Sequence, residues 1–324
     1  MREIYVAAKN RIEERIARAK HQKEIRKEQI KESIPRVTVI EEEIFKAGIE
    51  LSKVVVLENS EELVFELKNK LNALQEEKIK LIEDSGFPKN YLDDVYICDI
   101  CNDSGYIDEE GRTVKCSCHK QYIIDEIYNK SSIPYDVNQT FETFDINLFE
   151  GDSKRKIEHV KSESMKFINN FDDVSQKNLI FMGGSGTGKT FLTNCIATEI
   201  MRKGKTVLYQ TAPDMFNNIN RLKMQSFNDN DNSGYEFYEY LMKVDLLVID
   251  DLGTESKTAS RYAELFTIIN NRLVNNNKMI ISTNLAINDI TDNYDERILS
   301  RFIGDFEIFN FDWKDIRIIL SMKG

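Results

Sequence analysis

The sequence lacks any apolar run that approaches the roughly eighteen residues needed to cross a lipid bilayer. Its amino terminus carries charged, helix-forming residues where a secretory signal has an apolar segment. These two absences argue against a membrane partner and predict a cytoplasmic protein. The chain has 324 residues, of which 41% are hydrophobic, and this is enough for about two domains with packed cores.

Cysteine is also scarce, and four of the five cysteines fall in one short stretch: Cys98, Cys101, Cys116 and Cys118. The CxxC spacing lets two thiolates point at one ion, and a hairpin-like stretch returns the CxC pair to complete a tetrahedron. The pattern predicts a zinc site in a reducing compartment, with His119 as the alternative to Cys118 as fourth ligand. An iron–sulfur cluster and unliganded thiols are the competing interpretations.

Basic residues are fewer than acidic ones, and the formal net charge is −11. This charge argues against a large static nucleic-acid surface. The charge is uneven, however. Up to Arg36 the sequence contains eleven Lys or Arg residues against six Glu residues. A basic start before an acidic remainder therefore leaves nucleic acid open as a partner.

Glycine and proline are absent from Arg2 to Ser33, where isoleucines recur at roughly helical intervals, and this predicts one long helix. A second helix is predicted from Glu61 to Asp84, with leucines at steps of three, four and seven. The two helices can pair as a hairpin. Its leucine stripe is either core packing or a surface for a partner protein.

The strongest motif is GGSGTGKT at residues 183–190, which satisfies GxxxxGK[ST]. An apolar, strand-like run (Asn178 to Met182) precedes it, and a helical pattern (Phe191 to Arg202) follows it. Glycine lets backbone N–H groups curl around the phosphates of ATP. The residues expected at the phosphates are Gly183, Gly184, Ser185, Gly186, Thr187, Gly188, Lys189 and Thr190. Lys189 neutralises phosphate charge and Thr190 places its hydroxyl on Mg²⁺.

Polar side chains follow two later apolar strands. The strand that begins at Leu246 ends in Asp250, expected to hold Mg²⁺, and Asp251, expected to polarise the attacking water. The strand from Met279 to Ser282 runs into Asn284, a candidate sensor of the γ-phosphate.

Two arginines lie close together beyond these strands, on a predicted short helix. Arg301 is a candidate to complete the nucleotide site of a neighbouring subunit, because an arginine can stabilise charge in phosphoryl transfer across an interface. Arg297 is more simply explained by a surface salt bridge.

The second half of the chain alternates strands with helices, and this predicts an α/β fold with a parallel sheet flanked by helices. The five predicted strands are Leu179 to Met182, Thr206 to Gln210, Leu246 to Ile249, Met279 to Ser282 and Phe306 to Phe309.

The order of phosphate loop, double-Asp strand, strand-end Asn and SRF arginine resembles an AAA+ ATPase, and the likeness extends from about Ser131 onward. More specifically, the chain resembles the DnaC/DnaI type of bacterial replicative helicase loader. Four features carry this likeness: the CxxC and CxCH pairs, Ile133-Pro134-Tyr135 with Thr140-Phe141-Glu142-Thr143-Phe144, the IDDLG at Ile249 to Gly253, and Asp315-Ile316-Arg317.

The resemblance implies four segments: a helical helicase-binding region (1–92), a zinc-binding module (93–122), a linker packed on the core (123–152) and an AAA+ ATPase domain (153–324). It implies that the amino-terminal region grips a hexameric DnaB-type helicase, while ATP-bound AAA+ modules self-associate and engage single-stranded DNA. No carboxy-terminal lid is expected, which leaves Arg317 only a weak sensor candidate. The second Asp, where Glu is common, implies slow hydrolysis.

Cations and aromatic residues in this domain are weak candidates for DNA contacts. The cations are Lys205, Arg221, Lys223, Lys257, Arg261 and Arg272, and the aromatic residues are Tyr209, Phe216 and Tyr262.

Two other functions compete with the loader. An IstB-type transposition helper ATPase shares the core motifs, although the zinc module and the long amino-terminal helices argue against it. A nucleotide-binding adaptor without turnover is the other alternative.

Overall fold

The computed structural model describes residues 2–58, 60–127, 139–228, 233–256 and 258–323. The chain forms two compact units. One unit comprises Asn10–Ser104, and the other comprises Met1–Lys9 with Gly105–Gly324. The predicted four-segment division stays a prediction. Ile133, Pro134 and Tyr135 of the predicted linker lie outside the described residues.

The smaller unit is built from three helices: α1 (Arg2–Ser33), which enters it at Asn10, α2 (Pro35–Lys53) and α3 (Glu61–Asp84). The predicted bounds of α1 and α3 are confirmed. The sequence analysis missed α2, where Pro35 stands in the first helical turn, a position that needs no backbone N–H. A π-helical turn (Val54–Glu58) follows α2.

A small apolar cluster holds these helices together, formed by Ile30, Ile34, Val37 and Ile82. Because this core is small, the leucine stripe of α3 is largely left outside it. Leu74 is buried, but Leu63 is exposed.

The main segment of the larger unit starts with a hairpin of β1 (Tyr106–Glu109) and β2 (Arg112–Lys115), followed by α4 (Ser117–Ile127). Beyond it lies a five-stranded parallel sheet with the order β4-β5-β6-β3-β7. Its strands are β3 (Asn178–Gly183), β4 (Val207–Thr211), β5 (Leu246–Leu252), β6 (Lys278–Thr283) and β7 (Phe306–Phe311).

The expected α/β class, with a parallel sheet flanked by helices, is confirmed. The helices of the sheet domain are α5 (Gly151–Asn169), α6 (Lys189–Arg202), α7 (Ala212–Asn228), α8 (Ser233–Lys243), α9 (Ala259–Val274), α10 (Ile287–Asn293), α11 (Glu296–Asp305) and α12 (Ile316–Lys323). No helix in the described ranges combines the length and the apolar character needed to cross a membrane.

Two apolar cores cover the sheet, because successive side chains of a strand point to opposite faces. In β4, Leu208 belongs to the first core, whereas Val207 and Tyr209 belong to the second. The second core also takes up Phe144 and Phe149 from the segment before α5. The buried faces thus fix the register of the strands, and with it the edge where their carboxyl ends meet.

The exposed edge of β4 is closed by Gln121 of α4. Its amide oxygen accepts a hydrogen bond from the N–H of Val207 over 2.8 Å, and its amide nitrogen donates to the carbonyl of Val207 over 2.8 Å. A side chain that mimics a neighbouring strand protects the edge from pairing with another chain.

Arg272 is a structural residue, and its assignment as a DNA contact was wrong. The side chain is fully buried in α9, and its guanidinium donates to five backbone carbonyls: those of Leu241, Met242, Val244, Asp245 and Lys278. Burial lowers the pKa of this guanidinium, opposed by the charge of Asp245. The sequence shows only a cation on a helix. In the fold, this cation donates hydrogen bonds to five backbone carbonyls that would otherwise lack this donor.

Candidate functional site

The phosphate-binding loop lies between β3 and α6, at the carboxyl edge of the sheet. Gly188, at the start of α6, has a φ of 97°, a left-handed conformation that favours glycine. Lys189 is buried, and its ammonium group donates to the carbonyls of Gly183 (2.7 Å) and Gly184 (2.8 Å) and to Oδ1 of Asn284 (2.8 Å). The fold thus joins the loop lysine to the candidate sensor at the tip of β6, 95 residues away in sequence.

The carboxylate of Asp250 is the centre of a hydrogen-bond network at the end of β5. Its Oδ2 accepts from the hydroxyls of Tyr209 (2.6 Å) and Thr190 (3.1 Å), and its Oδ1 accepts from the hydroxyl of Ser282. The hydroxyl oxygen of Thr190 and the carboxylate of Asp250 therefore lie side by side. Hard oxygen ligands of this kind are those that Mg²⁺ prefers. The sequence analysis missed Tyr209 and Ser282 in this role.

Asp251 has an unusual backbone conformation, with a φ of 54° at an irregularity in the pairing of β5 with β6. Its N–H donates to the hydroxyl of Ser282 over 2.9 Å, which helps to hold this conformation. Burial and the neighbouring Asp250 raise the pKa of the Asp251 carboxyl, while Lys189 opposes the shift. Burial also lowers the pKa of Lys189, opposed by Asp251 and Asp250. The site therefore couples one cation to two adjacent acids.

The two candidate arginines are both on α11. Arg301 is half-buried and donates to Oδ1 of Asn270 over 2.9 Å, and it lies 3.9 Å from Asp305. Arg297 pairs with Asp295 over 2.7 Å, and its guanidinium covers the ring of Phe266. The salt bridge expected for Arg297 is present, whereas the role of Arg301 in a neighbouring subunit stays a prediction.

The thiol sulfurs of Cys98, Cys101, Cys116 and Cys118 all lie within 4.8 Å of one another. A tetrahedral zinc ion with bonds of about 2.3 Å separates its sulfur ligands by about 3.8 Å. The spacing and the all-thiolate donor set therefore fit zinc. The four-residue group contains Cys118 and not the alternative, His119.

His119 instead supports the hairpin that precedes the second cysteine pair. It is buried, its Nδ1 lies 3.3 Å from the carbonyl of Gly105, and its ring meets Tyr106 edge-on at 5.1 Å. Burial lowers the pKa of His119, so that the neutral ring is favoured.

The first cysteine pair is held by Asp103, which the sequence analysis did not single out. Its carboxylate accepts from the backbone N–H groups of Ile97 (3.0 Å) and Cys98 (2.9 Å). Arg15 of α1 lies 3.1 Å from the same carboxylate, and both side chains are buried. An acid that gathers backbone donors beside a metal-binding turn orients the ligands.

The remaining candidates for DNA contacts have mixed outcomes. Tyr209 and Phe216 are buried, so base stacking on them was wrong. Lys205 pairs with Asp172, and Arg261 lies over the ring of Phe216. Lys257 and the side chain of Lys223 lie outside the described residues, whereas Arg221 is exposed and Tyr262 is partly buried.

The sequence of this chain is similar to those of known ATP-binding proteins and helicase loaders. A family profile described as IstB-like ATP binding protein matches residues 119–308, which is more than half of the chain. The replicative helicase loader DnaC of Escherichia coli K12 is 26% identical over 222 residues, 68% of this chain and 83% of DnaC. The uncharacterized protein YdaV of the same strain is 29% identical over 141 residues, 43% of this chain and 55% of YdaV. The match thus spans about half the length of YdaV.

Among solved structures, the crystal structure of the DnaC helicase loader aligns with 55% of this chain and 99% of that chain. The sequence identity is 24% and the TM-score is 0.46.

Proposed function

Because the chain belongs to the family of IstB-like ATP-binding proteins, we propose that it is an ATP-dependent loader of the replicative DNA helicase in the initiation of DNA replication. The observation that carries this proposal is the match to the replicative helicase loader DnaC, which extends over 83% of DnaC. A four-cysteine cluster and a separate three-helix unit support it.

In this proposal, ATP binds at the phosphate loop and the chain hydrolyses it slowly. The ammonium group of Lys189 lies beside Gly184, just after β3, and Asn284, just after β6. In this position it neutralises phosphate charge. Thr190 and Asp250 would hold Mg²⁺, which would supply charge stabilisation to the phosphates. Asp251 polarises the attacking water, and the amide of Asn284 orients it against the γ-phosphate.

Turnover is tested with the Asp251→Asn variant. Asparagine tolerates the left-handed backbone conformation of Asp251, so the fold should persist. We expect ATP affinity within about twofold of wild type and a loss of hydrolysis of about a hundredfold or more. The matched control is Asp172→Asn, on an exposed carboxylate. ATP binding without measurable hydrolysis in the wild-type chain would favour the nucleotide-binding adaptor, whereas equal, measurable hydrolysis in Asp251→Asn and wild type would contradict the role of Asp251.

The three-helix unit offers a surface for the helicase. Phe45, Ile49, Val56 and Leu57 are exposed and line a groove of about 540 Å³ on α2 and the π-helical turn. Phe45 is 70% exposed and Leu57 77% exposed. Contiguous apolar side chains at the surface mark sites of protein contact. We refer to these four residues as the apolar groove and propose that the hexameric helicase binds there.

Size-exclusion chromatography with light scattering, with and without ATP, tests helicase binding. We expect the wild-type chain to form a complex with the cognate replicative helicase, and Phe45→Asp and Leu57→Asp to abolish it. The control is Val174→Asp, which adds the same charge at a 69% exposed valine of the other unit. A complex unchanged in both groove variants contradicts the assigned surface. No complex with the wild-type chain, under any nucleotide condition, favours a transposition helper ATPase.

Engagement of single-stranded DNA and ATP-dependent self-association complete the proposal. Arg301 from one subunit would act at the nucleotide of the next. Fluorescence anisotropy with a labelled oligonucleotide should show binding that requires ATP and weakens as salt rises. Binding of equal strength without nucleotide would contradict the coupling.

A further inference from the structure

Residues 312–317 follow β7 and lie against the phosphate-binding loop; we call them the strap. Three of its residues contact three consecutive loop residues. The indole N–H of Trp313 donates to the carbonyl of Thr187 over 2.9 Å, and the backbone N–H of Ile316 donates to the carbonyl of Gly186 over 2.8 Å. Arg317 donates to the hydroxyl of Ser185 over 3.2 Å.

The strap is itself anchored to the core. Trp313 is buried, and its ring meets Phe149 edge-on at 5.5 Å and packs at 4.8 Å from Phe311. At the start of the strap, Asp312 pairs with Lys156 of α5 over 2.7 Å. The indole of Trp313 is therefore held in place by packing, and the start of the strap is held by an ion pair.

These hydrogen bonds set the direction of two peptide groups. In a trans peptide the C=O and the following N–H point in opposite directions. A bond that draws the carbonyl of Gly186 toward the strap turns the N–H of Thr187 away from the strap, and a bond to the carbonyl of Thr187 does the same for the N–H of Gly188. Inward-pointing N–H groups are what a phosphate-binding loop uses to hold anions.

The strap also restricts which residue can occupy position 186. Gly186 has a φ of 72°, and a Cβ atom built there would lie 2.1 Å from Cγ of Asp315. The positive φ favours glycine here, and a larger residue would also have to displace the side chain of Asp315. Close contact and hydrogen bonding thus act on the same peptide groups.

We propose that the strap is a positioning element for the phosphate-binding loop: Trp313 and the N–H of Ile316 hold two peptide planes so that the N–H groups of Thr187 and Gly188 face bound phosphate. Trp313 and Ile316 are positioning residues that act through the loop. This role goes beyond the loader function and depends on nucleotide binding alone.

The test is calorimetric titration of the full-length chain with MgATP and with inorganic tripolyphosphate. Trp313→Phe keeps an aromatic ring and removes the donor. Ile316→Pro removes the N–H at the first residue of α12, where proline is tolerated, and Ile316→Ala is its control because it keeps the N–H. We expect Trp313→Phe and Ile316→Pro to raise the Kd for both ligands about two- to tenfold, with Ile316→Ala below twofold.

Because tripolyphosphate has no base or ribose, an equal loss for both ligands assigns the effect to the phosphates. Unchanged Kd values in Trp313→Phe would overturn the proposal, even if Ile316→Pro did not fold. A loss in Ile316→Ala as large as in Ile316→Pro would also overturn it, because packing would then explain the effect. A chain that binds ATP but no helicase would overturn the loader function and not this proposal.

Discussion

The hydroxyl group of Tyr209 in β4 donates a 2.6 Å hydrogen bond to Oδ2 of Asp250 in the neighbouring β5. Burial, followed by the charge of Asp250, raises the pKa of Tyr209 far above its ordinary value, so that the hydroxyl keeps its proton and acts as the donor. The carboxylate proposed to hold Mg²⁺ is therefore fixed from an adjacent strand as well as by Ser282 and Thr190.

Replacing Tyr209 with phenylalanine should destabilise the protein, because a hydrogen bond to a buried carboxylate is lost. Bonds to charged groups contribute about 1.5–3 kcal/mol, and we expect the free energy of unfolding to fall by this amount without nucleotide. Urea unfolding measures it. Tyr262→Phe is the control, since Tyr262 packs on Tyr294 rather than on Asp250, and it should lose less than about 0.5 kcal/mol. Equal stability of Tyr209→Phe and Tyr262→Phe would contradict this role of the hydroxyl.

Arg301 is expected to act on the nucleotide of a neighbouring subunit, so Arg301→Ala should keep its affinity for ATP and lose hydrolysis about a thousandfold. Arg297→Ala, on the same helix, is the control and should retain most activity. ATP hydrolysis is measured for each variant alone and for mixtures.

Mixing Arg301→Ala with Asp251→Asn gives the sharper result. A subunit with an intact Asp251 can receive Arg301 from its partner, and hydrolysis should partly return although each variant alone is inactive. Absence of any recovery, in mixtures shown to co-assemble, would count against action across an interface.

Much of the fold follows from local sequence patterns. The alternation of apolar strands and helices predicted all five strands of the parallel sheet, because strands buried on both faces are continuous apolar runs. The sequence did not predict α2, since its apolar side chains do not form one buried stripe. Val37 and Ala47 are buried, but Phe45 and Ile49 are exposed.

The candidate site was predictable where chemistry depends on a contiguous motif. Lys189 and Thr190 come from such a motif, and Asp250 comes from a strand ending in acids. The supporting residues were not predictable, because Tyr209 and Trp313 reach the site only through the order of strands. The same limit produced the error at Arg272, because four of its five carbonyl partners lie 27 to 31 residues away in sequence.

Arg272→Met should strongly destabilise the larger unit. The side-chain volume is largely kept, but five backbone carbonyls lose a donor in the interior. A buried acceptor left without its partner costs about 1–3 kcal/mol, so with five such carbonyls urea unfolding should show a decrease of at least about 3 kcal/mol. Arg221→Met, at an exposed arginine, should change the unfolding free energy by less than about 0.5 kcal/mol. Similar values for the two variants would contradict a structural role for Arg272.

Removal of zinc should affect the four-cysteine cluster and spare the nucleotide site. We expect about one zinc ion per purified chain, without the visible absorption of an iron–sulfur cluster, and loss of the metal in Cys116→Ser. ATP affinity should stay within about twofold, because no cysteine of the cluster belongs to the phosphate-binding loop. Mass spectrometry under native conditions and calorimetric titration measure the two properties.

Cys195→Ala is the matched control, because Cys195 is a buried cysteine outside the cluster, and burial raises the pKa of its thiol to about 12. Metals bind the ionised thiolate, so a thiol with a raised pKa is a poor metal ligand. We therefore expect Cys195→Ala to keep its zinc. Zinc retained in Cys116→Ser, or visible absorption that disappears with the metal, would contradict a four-thiolate zinc site. Zinc can also be removed from the wild-type chain with a chelator. If this treatment abolished ATP binding in the wild-type chain but not in Cys195→Ala, ATP binding would depend on a metal held by Cys195 and not by the cluster.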